Sequence, residues 1–122
     1  MKTVRFNLVV LRTENLRGMV DFYSSLGLSF TEEQHGAGPI HYSAQLGDAV
    51  LEIYPGTNGS APDRKAGGST MLGLGTDALD SLLKTLSAAG TTIVTPPKVS
   101  PWGLRAVVLD PDGRAIELTE AK

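Results

Sequence analysis

The sequence predicts an α+β fold: two βαβββ modules that form a cup-shaped mixed sheet with flanking helices. Three observations predict it. Strand-like runs alternate with two helical stretches, the order of elements in the second half repeats that of the first, and each half ends in a strand that carries a glutamate. The halves align by position: Ala49-Val50-Leu51-Glu52-Ile53 matches Arg114-Ala115-Ile116-Glu117-Leu118, and Gly27 and Gly90 each close the helix of their half. Internal repetition of this kind sets the architecture. The length of 122 residues suits one domain over 1–122, with halves 1–54 and 69–122 joined by a linker at 55–68.

In the first half, Val4 to Leu11 is rich in β-formers and reads as a strand. Thr13 is placed to cap the following helix, with Glu14 in its first turn. Leu16, Met19, Val20, Phe22, Tyr23 and Leu26 then follow helical spacing, with Phe22 and Tyr23 as core and edge packing. Gly27 ends this helix as a C′ glycine. Leu28–Glu32, His41–Leu46 and Ala49–Tyr54 read as strands, the last two joined by a Gly47-Asp48 turn. Residues 55–69 mix Gly, Pro and polar types and read as a linker or mobile loop.

In the second half, Ser69–Leu74 reads as a strand and Asp77 as the cap of a helix with an apolar stripe of Leu79, Leu82, Leu83 and Leu86. Thr91–Val94 is a strand followed by a Pro-rich loop. Leu104–Leu109 and Ala115–Leu118 form a last hairpin around Asp110-Pro111-Asp112-Gly113. A four-stranded sheet with one helix leaves its other face uncovered, so two such units can curve around a shared cleft.

Composition excludes several functions. The formal net charge is −2 and no run of Lys or Arg occurs, so the electrostatic footprint of a nucleic-acid binder is missing. The start, MKTVRF, leads into a strand-like run without the apolar stretch of a signal peptide or membrane span. With no cysteine there is no disulfide, thiolate metal site or thiol nucleophile. A cytoplasmic location is therefore expected, and Asn58-Gly59-Ser60 reads as a turn rather than a glycosylation site.

Strand alternation puts Glu52 on a face with Val50 and Tyr54, and Glu117 on a face with Ala115 and Thr119. A carboxylate among apolar strand residues is costly to bury unless paired. Two carboxylates at equivalent positions point to a cleft, although on a half-exposed sheet both would simply face water. The repeated βαβββ plan, Asp21-Phe22-Tyr23 with Leu26-Gly27, and Asp110-Pro111-Asp112-Gly113 with Ile116-Glu117-Leu118 together resemble the vicinal oxygen chelate superfamily of glyoxalase I, extradiol dioxygenases, fosfomycin-resistance enzymes and bleomycin-resistance proteins. The resemblance implies a metal or ligand site in the cup, with metal ligands from the first and last strands of each half. Those places fall on Asn7, Glu52, Met71 (or Thr70 if the register shifts by one) and Glu117. The enzymes carry His in the first strands, where this chain has Asn7 and Met71.

Asn is a poor ligand for Zn²⁺, Ni²⁺ or Fe²⁺, and a Met thioether prefers Cu(I). No cofactor is therefore expected. The alternative is a hard divalent metal held by Glu52 and Glu117 with waters. Without an ion, two close carboxylates need a proton or a cationic partner. His35, in a Gly-flanked loop, reads as solvated, and His41, which shares a face with Ser43 and Gln45, reads as a rim residue or else as a base or donor lining the cup. Pro101-Trp102-Gly103 is similar to the segment that borders the drug groove of bleomycin-resistance proteins; Trp102 either stacks on a planar ligand or packs over the sheet. Tyr54 and the 55–69 loop can close the same mouth.

Two readings follow. In the first, a metal-free protein binds a small, partly aromatic or cationic compound through Asn7, Glu52, Tyr54, Met71, Trp102 and Glu117, with sequestration of an antibiotic as one version. In the second, the chain is a divergent metal-dependent lyase, isomerase or dioxygenase of the glyoxalase type, or a metal-free acid–base catalyst. The resemblance also implies a homodimer, with no nucleic-acid or membrane partner.

Overall fold

The protein is described from a computed structural model that covers residues 4–57 and 70–121. The chain divides after residue 59 into two compact units. In the first, β1 (Leu8–Thr13), α1 (Leu16–Ser25), β2 (Phe30–Glu33), β3 (His41–Leu46) and β4 (Ala49–Pro55) follow one another. In the second, the same plan gives β5 (Leu72–Gly75), α2 (Leu79–Ala88), β6 (Ile93–Ser100), β7 (Gly103–Leu109) and β8 (Ala115–Glu120). Each unit has one four-stranded mixed sheet, in the orders β1-β4-β3-β2 and β5-β8-β7-β6. The first and last strands of a unit pair in parallel, and the remaining pairs are antiparallel. The α+β class and the βαβββ repeat are as the sequence predicts.

Alternation then sorts the side chains of each sheet. In the first unit Leu11, Ala44, Leu51 and Ile53 are buried, together with Met19, Val20, Phe22 and Tyr23 of α1, which packs on β4. In the second, Ala106, Val108, Ile116 and Leu118 are buried with Leu79, Leu83 and Leu86 of α2. No helix among the described residues is long and apolar enough to cross a membrane.

Several boundaries differ from expectation for physical reasons. β1 begins at Leu8 rather than Val4, because the first bond to its parallel partner runs from Val50 N–H to the Asn7 carbonyl. Val4 and Phe6, with no strand beside them, are exposed. Conversely, β6 runs on through Pro96-Pro97, which the sequence reads as a loop. β6 is an edge strand and its pairing with β7 shifts register there, the setting in which a residue without an N–H is tolerated. Of the expected 55–68 linker, Pro55 closes β4; the part from residue 58, the Asn58-Gly59-Ser60 turn and Ser69 lie outside the described residues.

Both helix caps also differ. Asn15, not Thr13, caps α1, its side chain accepting from Gly18 N–H, while the Thr13 hydroxyl accepts from Asn15 N–H. At α2 the N-cap is Ala78, and the Leu79 N–H donates instead to Glu120 Oε1 at 2.7 Å, a bond spanning 41 residues. Gly27 and Gly90 take the positive φ of a C′ glycine, as expected.

The strand end that holds Glu120 is crowded. Gly103 opens β7 with φ +125°, and a Cβ there would collide with the Glu120 carbonyl oxygen. Gly103→Ala should destabilise the protein by about 2 kcal/mol or more. The check is urea unfolding, with a lower midpoint and an unchanged slope.

Candidate functional site

The parallel register fixes what shares a face with each glutamate. In the first unit, Val10, Glu52, Ser43 and Thr31 form one row across the sheet. Arg12 and Tyr54 on one side, and His41 and Glu33 on the other, make up the next row. Leu8 sits opposite Val50 in the row before. In the second unit Gly73, Glu117, Val107 and Thr95 form the matching row, with Thr119, Arg105 and Lys98 in the next.

This register also places the residues that precede each glutamate on its face. Met71, just before β5, stands level with Ala115, two residues short of Glu117 on the same face. Its counterpart in the first unit is Leu8, level with Val50 and two residues short of Glu52. Asn7 precedes the strand, is exposed, and alternation does not bring it to the Glu52 face. Leu8 and Met71 are half-exposed apolar side chains, at 46% and 43%.

The two glutamates have different partners. Glu117 is ion-paired with Arg105, Nε to Oε1, at 3.0 Å. A cationic partner is one of the arrangements that a carboxylate in such a row requires. Beside it, a side chain built on Gly73 would meet nothing within 4 Å, so β5 leaves open room next to the pair. Glu52 faces an imidazole instead, its Oε2 lying 4.0 Å from His41 Nε2.

His41 is not a rim residue: it is 1% exposed. Its ring stacks on Tyr54 with centroids 4.1 Å apart and planes 7° from parallel. Nδ1 lies 3.3 Å from the Pro39 carbonyl oxygen. A carbonyl only accepts, so this contact is a hydrogen bond in the tautomer that carries its proton on Nδ1, the form in which Nε2 presents its lone pair. Nε2 has no hydrogen-bond partner among the described residues. It points toward Glu33 Oε1, 3.4 Å away, and that same oxygen lies 3.8 Å from His35 Nε2.

Sequence reasoning passed over Glu33 and read His35 as solvated. His35 is indeed exposed, but its ring is 5.1 Å from that of His41. The available signal was the hairpin itself, since antiparallel pairing of β2 with β3 sets Glu33 directly opposite His41. Trp102 is 74% exposed in the β6–β7 turn and does not cover the core. The turn is pinned beneath it: the Ser100 hydroxyl donates to the Gly103 carbonyl and accepts from Trp102 N–H. The Asp110-Pro111-Asp112-Gly113 segment is structural. Asp110 Oδ1 accepts from the N–H groups of Asp112 and Arg114, and Oδ2 pairs with Arg114 at 2.7 Å.

A family model, the Glyoxalase/Bleomycin resistance protein/Dioxygenase superfamily, matches residues 5–118. The chain belongs to this superfamily. A protein of Mycolicibacterium smegmatis described as uncharacterized is 32% identical over 109 residues, covering 89% of this chain and 87% of that one. Among solved structures, TnmS3, an antibiotic binding protein from a Streptomyces species, is 24% identical with a TM-score of 0.75, covering 100% of this chain and 99% of its own. A glyoxalase/dioxygenase from Nostoc punctiforme is 18% identical with a TM-score of 0.77, covering 97% and 91%. At these identities both structures establish a shared fold.

By the resemblance of the sequence, the places of the superfamily's two first-strand imidazoles fall on Asn7 and Met71. Neither fits a Zn²⁺, Ni²⁺ or Fe²⁺ centre. The Arg105–Glu117 pair is half-buried, and a double-mutant cycle with Arg105→Met and Glu117→Gln should give a coupling of about 0.5–1 kcal/mol. Unfolding free energies of the four proteins in the cycle, from urea titrations, measure it.

Proposed function

We propose that this chain binds a small molecule without using a metal at the positions its superfamily employs for one, and that it sequesters a planar, cationic compound such as an antibiotic. The carrying observation is the pair Leu8 and Met71: apolar, half-exposed side chains stand on the faces that carry Glu52 and Glu117. Apolar surface with a few placed polar groups suits ligand binding.

Further residues of each unit, taken by itself, support the same reading. Glu52 supplies negative charge, Tyr54 an aromatic face, and Gly73 leaves room beside Glu117. Trp102 is an exposed flat surface on a pinned turn, suited to stacking at little entropic cost. Asn7, outside β1, is left as a rim contact. The Arg105 pair argues against the acid–base alternative at Glu117, since one carboxylate oxygen is already engaged by the guanidinium at 3.0 Å. TnmS3 is an antibiotic binding protein of the same fold, which directs the choice of first ligands. The protein is proposed to act in the cytoplasm as a homodimer.

Trp102 is the one tryptophan of the chain and so an intrinsic reporter. Titration of the metal-free protein with bleomycin-type and other planar cationic drugs should quench its fluorescence saturably, with matching heat by calorimetry. No quench and no heat across a broad panel would remove the sequestration reading. Gly73→Leu, which fills the room beside Glu117, should weaken binding roughly tenfold or more at unchanged thermal stability.

A further inference from the structure

We infer that Glu33, His35 and His41 form a divalent transition-metal site in the first unit, distinct from the positions used by the superfamily's metal enzymes. Both histidines of the chain are in this group. Each of the three residues offers one donor atom, and these atoms all lie within 4.8 Å of one another.

Geometry favours a metal over a simple ion pair. A protonated imidazole bound to a carboxylate closes to about 2.7–2.9 Å. His41 Nε2 stands instead 3.4 Å from Glu33 and 4.0 Å from Glu52, outside that range from both. Ligand atoms on a tetrahedral ion with bonds of 2.0–2.1 Å stand about 3.4 Å apart. The His41–Glu33 separation of 3.4 Å and the His35–Glu33 separation of 3.8 Å are close to this. His35 lies in an exposed turn, so closing the remaining gap needs only local adjustment.

His41 supplies the second, independent sign of a ligand. Its side chain is 2% exposed and Nε2 has no hydrogen-bond partner among the described residues. A buried polar atom without a partner is costly. Its other nitrogen is oriented by the Pro39 carbonyl, the outer-shell contact that metal-bound histidines usually have. Two imidazoles and one carboxylate select Zn²⁺, Ni²⁺, Cu²⁺ or Fe²⁺ over Mg²⁺ or Ca²⁺. Three protein ligands leave a position open, with Glu52 the nearest further carboxylate to His41.

The inference does not rest on the drug-binding reading, and either can fail alone. The test uses tag-free full-length protein, stripped with chelator, in equilibrium dialysis against Zn²⁺ and in titration with Co²⁺. The expected result is one equivalent of Zn²⁺ retained and visible Co²⁺ bands of four-coordinate intensity. His35→Gln, at an exposed position, and Glu33→Gln should each weaken Zn²⁺ binding at least roughly tenfold with unchanged thermal stability of the stripped protein. Absence of Zn²⁺ uptake, or uptake that both substitutions leave unchanged, would overturn the assignment.

Discussion

The parallel pairing of the first and last strand within each unit is the constraint on which the rest depends. A strand has a side-chain period of two, so a shift of one residue would exchange its two faces. Here the Leu8–Val50 and Leu72–Ile116 pairs set both sheets. They send Leu51 and Ile53, and Ile116 and Leu118, into the helix-covered cores. The same choice commits Glu52 and Glu117 to the opposite faces. The glutamates are thus where they are because the aliphatic residues between them must be buried.

From that common frame the two units diverge in chemistry. Glu117 is neutralised by Arg105 from the neighbouring strand, whereas Glu52 faces the buried imidazole of His41. Leu8 and Met71 put apolar side chains, not nitrogen donors, on the two glutamate faces. The imidazoles of this chain are instead on β3 and the turn before it, opposite and beside Glu33. A repeat conserves backbone register more strictly than side-chain function, since register is enforced by the whole core and a ligand by one residue.

Most of the fold was legible in the sequence, because hydrophobic periodicity and the glycines that end helices are local signals. Phe22 and Tyr23, the Gly27 and Gly90 ends, and the Asp110–Gly113 turn follow directly from such signals. What was not legible depends on contacts distant in the chain. The α2 N-terminus is capped by Glu120, 41 residues away, so Asp77 is not needed there. The start of β1 is fixed by where its partner begins, so the strand opens at Leu8 rather than Val4. His41 looked like a rim residue because its strand mixes polar and apolar types, while its burial comes from packing that includes the Tyr54 ring.

The most direct measurement is anomalous diffraction from crystals grown with one equivalent of Zn²⁺. The account predicts a single peak within bonding distance of His41 Nε2 and Glu33, and none at Leu8 or Met71. A peak bonded by Glu117 with His41 uninvolved would contradict it.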